Sequence, residues 1–355
     1  MKKIFFFCTL LAGLILLIFL KPFSSHPKQE RSVKVSTLST RNQPVHQKKT
    51  LFVPYWTISN EPLDNTYDTY IYFGTEANAD GTMTKDTAYK AIDRFLAVTN
   101  KKKQRLLGIR MINTDTNQIV LKDLSLQQKI ISQSIQLAKE KGFNGIVLDF
   151  EISALGFGSV TKTITDFETS FANTAKKQQI MFYATMYGDT FFRFRPFDVK
   201  TIASRADGIM IMAYDFHKAN GNPGPNFPLK DNQQEGYDFE TMVADFLQQV
   251  SPDKITVIFG QYGYDWQVDD KGNSLSQAVA LSDNQIKQKF LDACPFTGCN
   301  ILNDAVSAET KITYVDSEKH MHIVWFENMQ STNKKIQFLT LKDINSVAYW
   351  AYSYF

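Results

Sequence analysis

The sequence predicts a closed (β/α)8 TIM barrel of the α/β class, and three observations point to it. From residue 51 onward, eight β-rich apolar runs alternate with amphipathic helical stretches, the pattern of parallel strands joined by helices. One run, Gly145-Ile146-Val147-Leu148-Asp149-Phe150-Glu151, is apolar almost throughout, as suits a parallel strand buried on both faces. The chain has 355 residues, 43% of them hydrophobic, and one such barrel needs about 250. An open doubly wound sheet is the alternative, but no Gly-x-Gly-x-x-Gly follows the first run and no phosphate loop occurs anywhere.

Taken in order, Met1-Lys2-Lys3 precedes an uninterrupted apolar segment, Ile4 to Leu20. Two lysines before such a segment hold the N-terminus inside, so the remainder is expected to be exported. Residues 1–25 therefore read as a signal peptide or an uncleaved signal anchor, and the protein as secreted or membrane-tethered. Residues 26–50, polar and without hydrophobic periodicity, read as a flexible linker. The barrel is expected over 51–355, with strands near 51–56, 68–74, 104–111, 143–151, 180–187, 207–215, 255–262 and 346–352. The clearest helices are expected at 125–141, 162–177, 239–250 and 331–342.

Residues 266–330 break the alternation and read as a small insertion after the seventh strand. It should hold a helix near 282–293, a loop containing Cys294 and Cys299, and two strands, Lys311–Val315 and His320–Phe326. Export would permit a disulfide between the two cysteines, and two free thiols are the other possibility. The eighth strand lies so near Phe355 that no eighth helix is expected after it, and something else must cover that side of the barrel.

Charge narrows the function. The formal net charge is +3, but residues 1–50 hold nine Lys/Arg against one acid, leaving 30 basic and 35 acidic residues in 51–355. The folded part is acidic, which argues against nucleic-acid binding. The five histidines are scattered, with no metal-ligand spacing, so neither metal nor cofactor is expected.

In the run ending at Glu151, alternation places Val147, Asp149 and Glu151 on one face and Ile146, Leu148 and Phe150 on the other. An Asp-x-Glu triplet alone is common on solvated faces. Here it sits in apolar surroundings, where carboxylates are costly unless protonated or partnered, and barrels carry catalytic groups at the C-terminal ends of their strands. Paired acids in such a place suggest glycoside hydrolysis. Parity likewise puts Met212 and Tyr214 on one face of the sixth run.

These residues resemble family-18 glycoside hydrolases, the chitinases and related endo-N-acetylglucosaminidases. Asn144-Gly145-Ile146-Val147-Leu148-Asp149-Phe150-Glu151 is similar to the signature Asp-Gly-x-Asp-x-Asp-x-Glu. Met212-Ala213-Tyr214-Asp215 matches the sixth-strand motif, Tyr262-Gly263-Tyr264-Asp265-Trp266 the seventh-strand aromatic motif, and Trp350 the tryptophan ending the eighth strand. Tyr72-Phe73-Gly74 with Asp80-Gly81, and Val324-Trp325-Phe326-Glu327, resemble the bacterial branch acting on spore or cell-wall peptidoglycan.

The resemblance implies a retaining reaction in which the substrate's own 2-acetamido oxygen is the nucleophile. Glu151 would protonate the glycosidic oxygen and later activate water, Asp149 would orient the acetamido group, and Tyr214 would donate to its oxygen. The expected substrate contacts are Asp215, Met212, Trp350, Met186, Tyr187, Tyr262, Tyr55 and Glu327. For Met186 and Tyr187 ordinary barrel packing competes with that reading, for Trp350 a core position, and for Tyr55 and Glu327 a packing tyrosine and a solvated turn acid. Asn144 and Val147 depart from the signature by replacing two aspartates. Without a carboxyl at 147, Asp149 is expected to be ionised in the free protein. The partner would be an N-acetylglucosamine-containing polysaccharide, cleaved by a monomer. A catalytically silent, lectin-like barrel is the rival reading.

Overall fold

The computed structural model describes residues 46–152, 158–231 and 235–355. The expected N-terminal signal or anchor and most of the expected linker lie outside the described residues. Among the described residues, no helix is long and apolar enough to cross a membrane.

Eight parallel strands close into a barrel. They are β1 (Lys48–Pro54), β2 (Thr69–Glu76), β3 (Gln104–Met111), β4 (Gly145–Phe150), β5 (Met181–Tyr187), β6 (Gly208–Ala213) and β7 (Ile255–Gly260), closed by β13 (Ser346–Trp350) between β7 and β1. Outside them lie α1 (Thr87–Val98), α2 (Thr114–Leu121), α3 (Leu124–Lys141), α4 (Ser159–Lys177), α5 (Val199–Arg205), α6 (Phe239–Leu247) and α8 (Met329–Leu341). The expected barrel is thus present, with its first strand starting at Lys48, inside the segment expected to be linker.

Strand alternation sorts side chains into two cores. Phe52, Ile71, Leu106, Val147, Met210 and Ile258 fill the barrel interior. Ile146, Leu148, Phe150, Ile209 and Ile211 point outward onto the helices. Val147 therefore lies on the inner face, as parity requires. Asn144 ends the preceding loop, and its Oδ1 accepts a hydrogen bond from the Arg105 backbone N–H at 2.8 Å.

Local signals set the helix ends. Asp123 caps α3 by accepting from the N–H groups of Ser125 and Leu126, and Gly142 ends the helix at φ 71°, a conformation that a side chain disfavours. Asp86, Asn113, Asp198 and Asp238 cap α1, α2, α5 and α6 in the same way.

Two places lack an outer helix. Only a single 3-10 turn, Tyr55–Thr57, interrupts the link from β1 to β2, and no helix forms between β13 and Phe355. Aromatic rings cover the gap: Tyr67 and Phe355 pack on the outward-facing Tyr349 at 6.1 and 5.8 Å.

The insertion is larger than its sequence suggests. Tyr262 to Trp266 does not prolong the seventh barrel strand. It belongs to a separate strand, β8 (Tyr262–Val268), in a five-stranded sheet ordered β10-β11-β12-β8-β9, with β9 (Val279–Ser282), β10 (Thr297–Asn303), β11 (Thr310–Val315) and β12 (Met321–Phe326). The helix expected near 282–293 is a short α7 (Asp283–Ile286) running into a π-helical turn, Lys287–Leu291. Cys294 and Cys299 are joined in a disulfide.

One buried group has no electrostatic compensation. Glu168 of α4 is fully buried, neither carboxyl oxygen has a hydrogen-bond partner among the described residues, and burial pushes its pKa up to about 8. Because the folded pKa is raised, stability is full below the ordinary carboxyl range of about 4 and is lost as pH rises towards 8. Glu168→Gln removes this titration. Thermal melts of both proteins should show the variant gaining on the wild type between pH 5 and pH 9, whereas a gap independent of pH would contradict the assignment.

Candidate active site

The ends of β4, β5 and β6 bring the sequence-derived carboxyls and tyrosines together. Asp149 is 5% exposed, and its Oδ1 accepts a hydrogen bond from Thr185 Oγ1 at 2.8 Å. Burial, and next the adjacent Glu151, push Asp149 up to about 7 against the opposing effects of Thr185 and the Arg110 charge. The ionisation expected of Asp149 in the free protein is thus opposed chiefly by desolvation, with the apolar Val147 as its neighbour on the inner face.

Glu151 follows the strand, with its backbone N–H donating to Met111 O at 2.8 Å. The buried Asn117 of α2 donates from its side-chain amide to both Met111 O and Glu151 O at 2.6 Å, clamping the ends of β3 and β4. Burial raises the Glu151 pKa, a hydrogen bond from Tyr187 Oη to Oε2 at 3.1 Å and the charges of Lys218 and Arg195 oppose the rise, and Asp215 reinforces it. Asp149 and Glu151 are close enough to titrate as a pair, so its protons belong to both.

Tyr187 is thus neither simple packing nor a free contact. Its ring lies beneath the Arg195 guanidinium at 4.0 Å, and Arg195 forks onto Asp189 at 2.8 and 2.9 Å. This chain of partners orients the phenol towards Glu151.

Tyr214 lines the same cavity, its hydroxyl kept protonated by burial and by the surrounding Asp149, Glu151 and Asp215. Asp215, at φ 58°, accepts on Oδ1 from Tyr262 and from Tyr264, the latter at 2.7 Å. That conformation is held by Asn226, whose Oδ1 accepts from the Asp215 N–H at 2.7 Å while its amide donates to Gly260 O and Tyr262 O. Asn226 is itself fixed by Glu309 of the insertion, which accepts from the N–H groups of Asn226 and Phe227 at 2.6 and 2.8 Å.

Three expected contacts are corrected. Glu327 is completely buried, 2.6 Å from Lys335 Nζ, and Lys335 also meets Glu309 at 2.9 Å. Burial takes the Glu327 pKa up to about 8 against the Lys335 charge, and Glu309 adds to the rise. Glu327 therefore ties α8 to the insertion, and it is neither a solvated turn acid nor a cavity residue. Met186 points outward into the layer between strands and helices, because adjacent residues of β5 face opposite ways and Tyr187 takes the inside. Tyr55 packs edge-on against Trp56 at 5.1 Å, and Trp56, its neighbour, lines the cavity instead.

The cavity at this site measures about 260 Å³. Met212, Asp215, Tyr262 and Trp350 line it as expected, together with Phe73 of the Tyr72-Phe73-Gly74 motif and with Arg110 and Thr185, which sequence reasoning did not single out. Trp350 stands edge-on to Phe73 at 4.6 Å, and the Trp350–Ala351 peptide is cis. The arrangement pairs a protonatable carboxyl with a second carboxyl, a phenol donor and flat apolar walls suited to the C–H face of a pyranose. Among the described residues, no cluster of His, Cys, Asp or Glu could hold a metal ion.

Tyr187→Phe deletes a hydrogen bond that favours the Glu151 carboxylate. The Glu151 pKa should then rise further, and the basic limb of the activity–pH profile should move to higher pH. A limb that stays in place or moves to lower pH would contradict the role assigned to the phenol.

Comparison with known proteins agrees with this geometry. A cortical fragment-lytic enzyme of Bacillus anthracis is 24% identical over 302 residues, covering 81% of this chain and 65% of that protein. The chain thus spans a little under two thirds of that relative's length. Among solved structures, the Bacillus cereus spore cortex-lytic enzyme SleL superposes with a TM-score of 0.68 at 21% identity, covering 87% of this chain and 71% of that one. The Ostrinia furnacalis Group IV chitinase superposes at 0.72 and 15% identity, covering 86% and 92%. These structural likenesses establish the shared barrel. The family profile described as Glycosyl hydrolases family 18 matches residues 40–354, and the chain belongs to that family.

Proposed function

We propose that this protein hydrolyses β-linked N-acetylhexosamine glycans with retention of anomeric configuration, the acetamido group of the substrate serving as nucleophile. The observation that carries the reading is the pair at the end of β4. Burial raises the pKa of Glu151, favouring its protonated form, and Tyr187 orients it, beside an Asp149 that burial also pushes upward.

In the proposed cycle Glu151 protonates the glycosidic oxygen as the acetamido oxygen attacks the anomeric carbon, displacing the leaving sugar. Asp149 accepts a hydrogen bond from the acetamido N–H and balances the positive charge of the cyclic intermediate. Tyr214 donates to the acetamido oxygen region, and Trp350 supports the ring. Glu151, now a carboxylate, removes a proton from the water that opens the intermediate. Positioning by Tyr187, Asn117 and Asn226 supplies the geometry such a step needs. The lectin-like alternative has no use for a half-buried acid braced by a stacked tyrosine.

The similarity to cortical fragment-lytic enzymes and to chitinases supports a wall glycan or chitin-like polymer as substrate. The lysines and apolar run of residues 1–25 support export, with that segment as signal or anchor. Incubating the full chain with N-acetylglucosamine oligomers and with purified peptidoglycan, followed by mass spectrometry, should reveal shortened glycans. Glu151→Gln should fold normally and lose at least about a hundredfold in turnover, the scale of general acid catalysis, and near-wild-type turnover in that variant would refute the reading.

A further inference from the structure

Among the described residues, Arg110 brings the only positive charge into the lining of the catalytic cavity. Its place follows from strand parity. On β3, Leu107, Ile109 and Met111 pack outward onto the helices while Leu106 fills the barrel interior, so Arg110 ends the inward-facing row. It pairs in register with Asp149 of β4 on one side and with Glu76 of β2 on the other. Neighbouring strands lie about 4.8 Å apart, so Arg110 stands one strand away from the carboxyl proposed to hold the acetamido group of the substrate.

The contacts of this cation leave its charge available. Glu76 meets Nη1 at 3.4 Å, longer than a charge-assisted hydrogen bond, and its side chain is 41% exposed, so water screens the pair. Nε has no hydrogen-bond partner among the described residues, so the guanidinium fork is not closed on a bidentate acceptor. It rests over the Phe73 ring at 5.3 Å, a contact that orients the cation without neutralising it.

The cavity carboxyls do not cancel the charge either. Burial pushes Asp149 up to about 7 and raises Glu151, biasing both towards their neutral forms, while Asp215 is taken up by the hydroxyls of Tyr262 and Tyr264. A guanidinium left open on a ligand site matches a planar anion on the ligand. A chitin-like chain offers none. A glycan whose alternate hexosamines carry a short ether-linked carboxylate places one on, or one ring away from, the unit that Asp149 holds.

We infer that Arg110 is a specificity-determining residue that pairs with a carboxylate carried by the glycan, so that the site prefers a chain with acidic N-acetylhexosamine units to an uncharged one. The inference rests on the proposed function and deepens it by naming the substrate class.

Calorimetry on the full-length Glu151→Gln chain, at a pH below the Asp149 value of about 7, measures binding without cleavage. The probes are a peptide-free tetrasaccharide alternating N-acetylglucosamine with N-acetylmuramic acid, and the same tetrasaccharide with its carboxylates converted to neutral amides. The carboxylated probe should bind at least about tenfold more tightly. Adding Arg110→Met should bring the affinity ratio to within about threefold of unity, whereas Arg110→Lys, which keeps the charge but not the fork, should retain a ratio above about threefold. Equal affinities in the parent, binding of neither probe, a ratio that survives Arg110→Met, or a lysine variant no more selective than the methionine variant would overturn the proposal. If the preference and its dependence on Arg110 are found but the chain with Glu151 intact cleaves neither probe, the assignment of Arg110 stands and the proposed hydrolysis fails.

Discussion

Desolvation of the two carboxyls at the C-terminal end of β4 is the interaction on which the rest of the site depends. The barrel interior below Asp149 is apolar, with Val147 on the same face, so burial shifts the acid towards its protonated form. Thr185 and Arg110 return part of that shift without reversing it. Glu151, one step further along the same face, is raised by burial as well and restrained by Tyr187. The general acid proposed for Glu151 needs this balance, with enough burial to hold the proton and enough polar contact to release it.

The insertion is as much a part of the site as the barrel. Lys335 of α8 meets Glu309 and Glu327 with all three fully buried, and Glu309 reaches through Asn226 to the backbone of Asp215. Burial works against the Lys335 charge, but the two carboxylates outweigh it and hold its pKa above the ordinary value. Such a group contributes little net stability compared with an apolar replacement, and removing one partner would strand a buried charge. Its effect here is geometric, since it joins α8, the insertion and the loop after β6 around the residue that receives the hydroxyls of Tyr262 and Tyr264.

Much of this was legible in the sequence because strand parity is a local property. The alternation through Val147, Asp149 and Glu151, and through Met212 and Tyr214, placed those side chains inward from the residues alone, and the barrel followed from the order of apolar runs. The same rule could have excluded Met186, which cannot share the inner face with Tyr187. It could also have marked β8, where Tyr262, Tyr264 and Trp266 alternate with Gly263, Asp265 and Gln267 as in a two-faced strand of a separate sheet. Glu327, Asn226 and Arg195 were beyond reach because their roles depend on partners 6 to 83 positions away in the chain. Trp56 was hidden beside Tyr55, since the turn after β1 breaks the alternation that would have distinguished them.

In the proposed mechanism the nucleophile comes from the substrate, and Glu151 serves both halves of the reaction on one face of the sugar. Proton NMR of the reducing ends, recorded within the first minutes of hydrolysis of an N-acetylglucosamine oligomer, tests this most directly. With retention, the β-anomer should appear first and the α-anomer follow only by mutarotation. Initial formation of the α-anomer would mean direct attack by water from the opposite face and would contradict it.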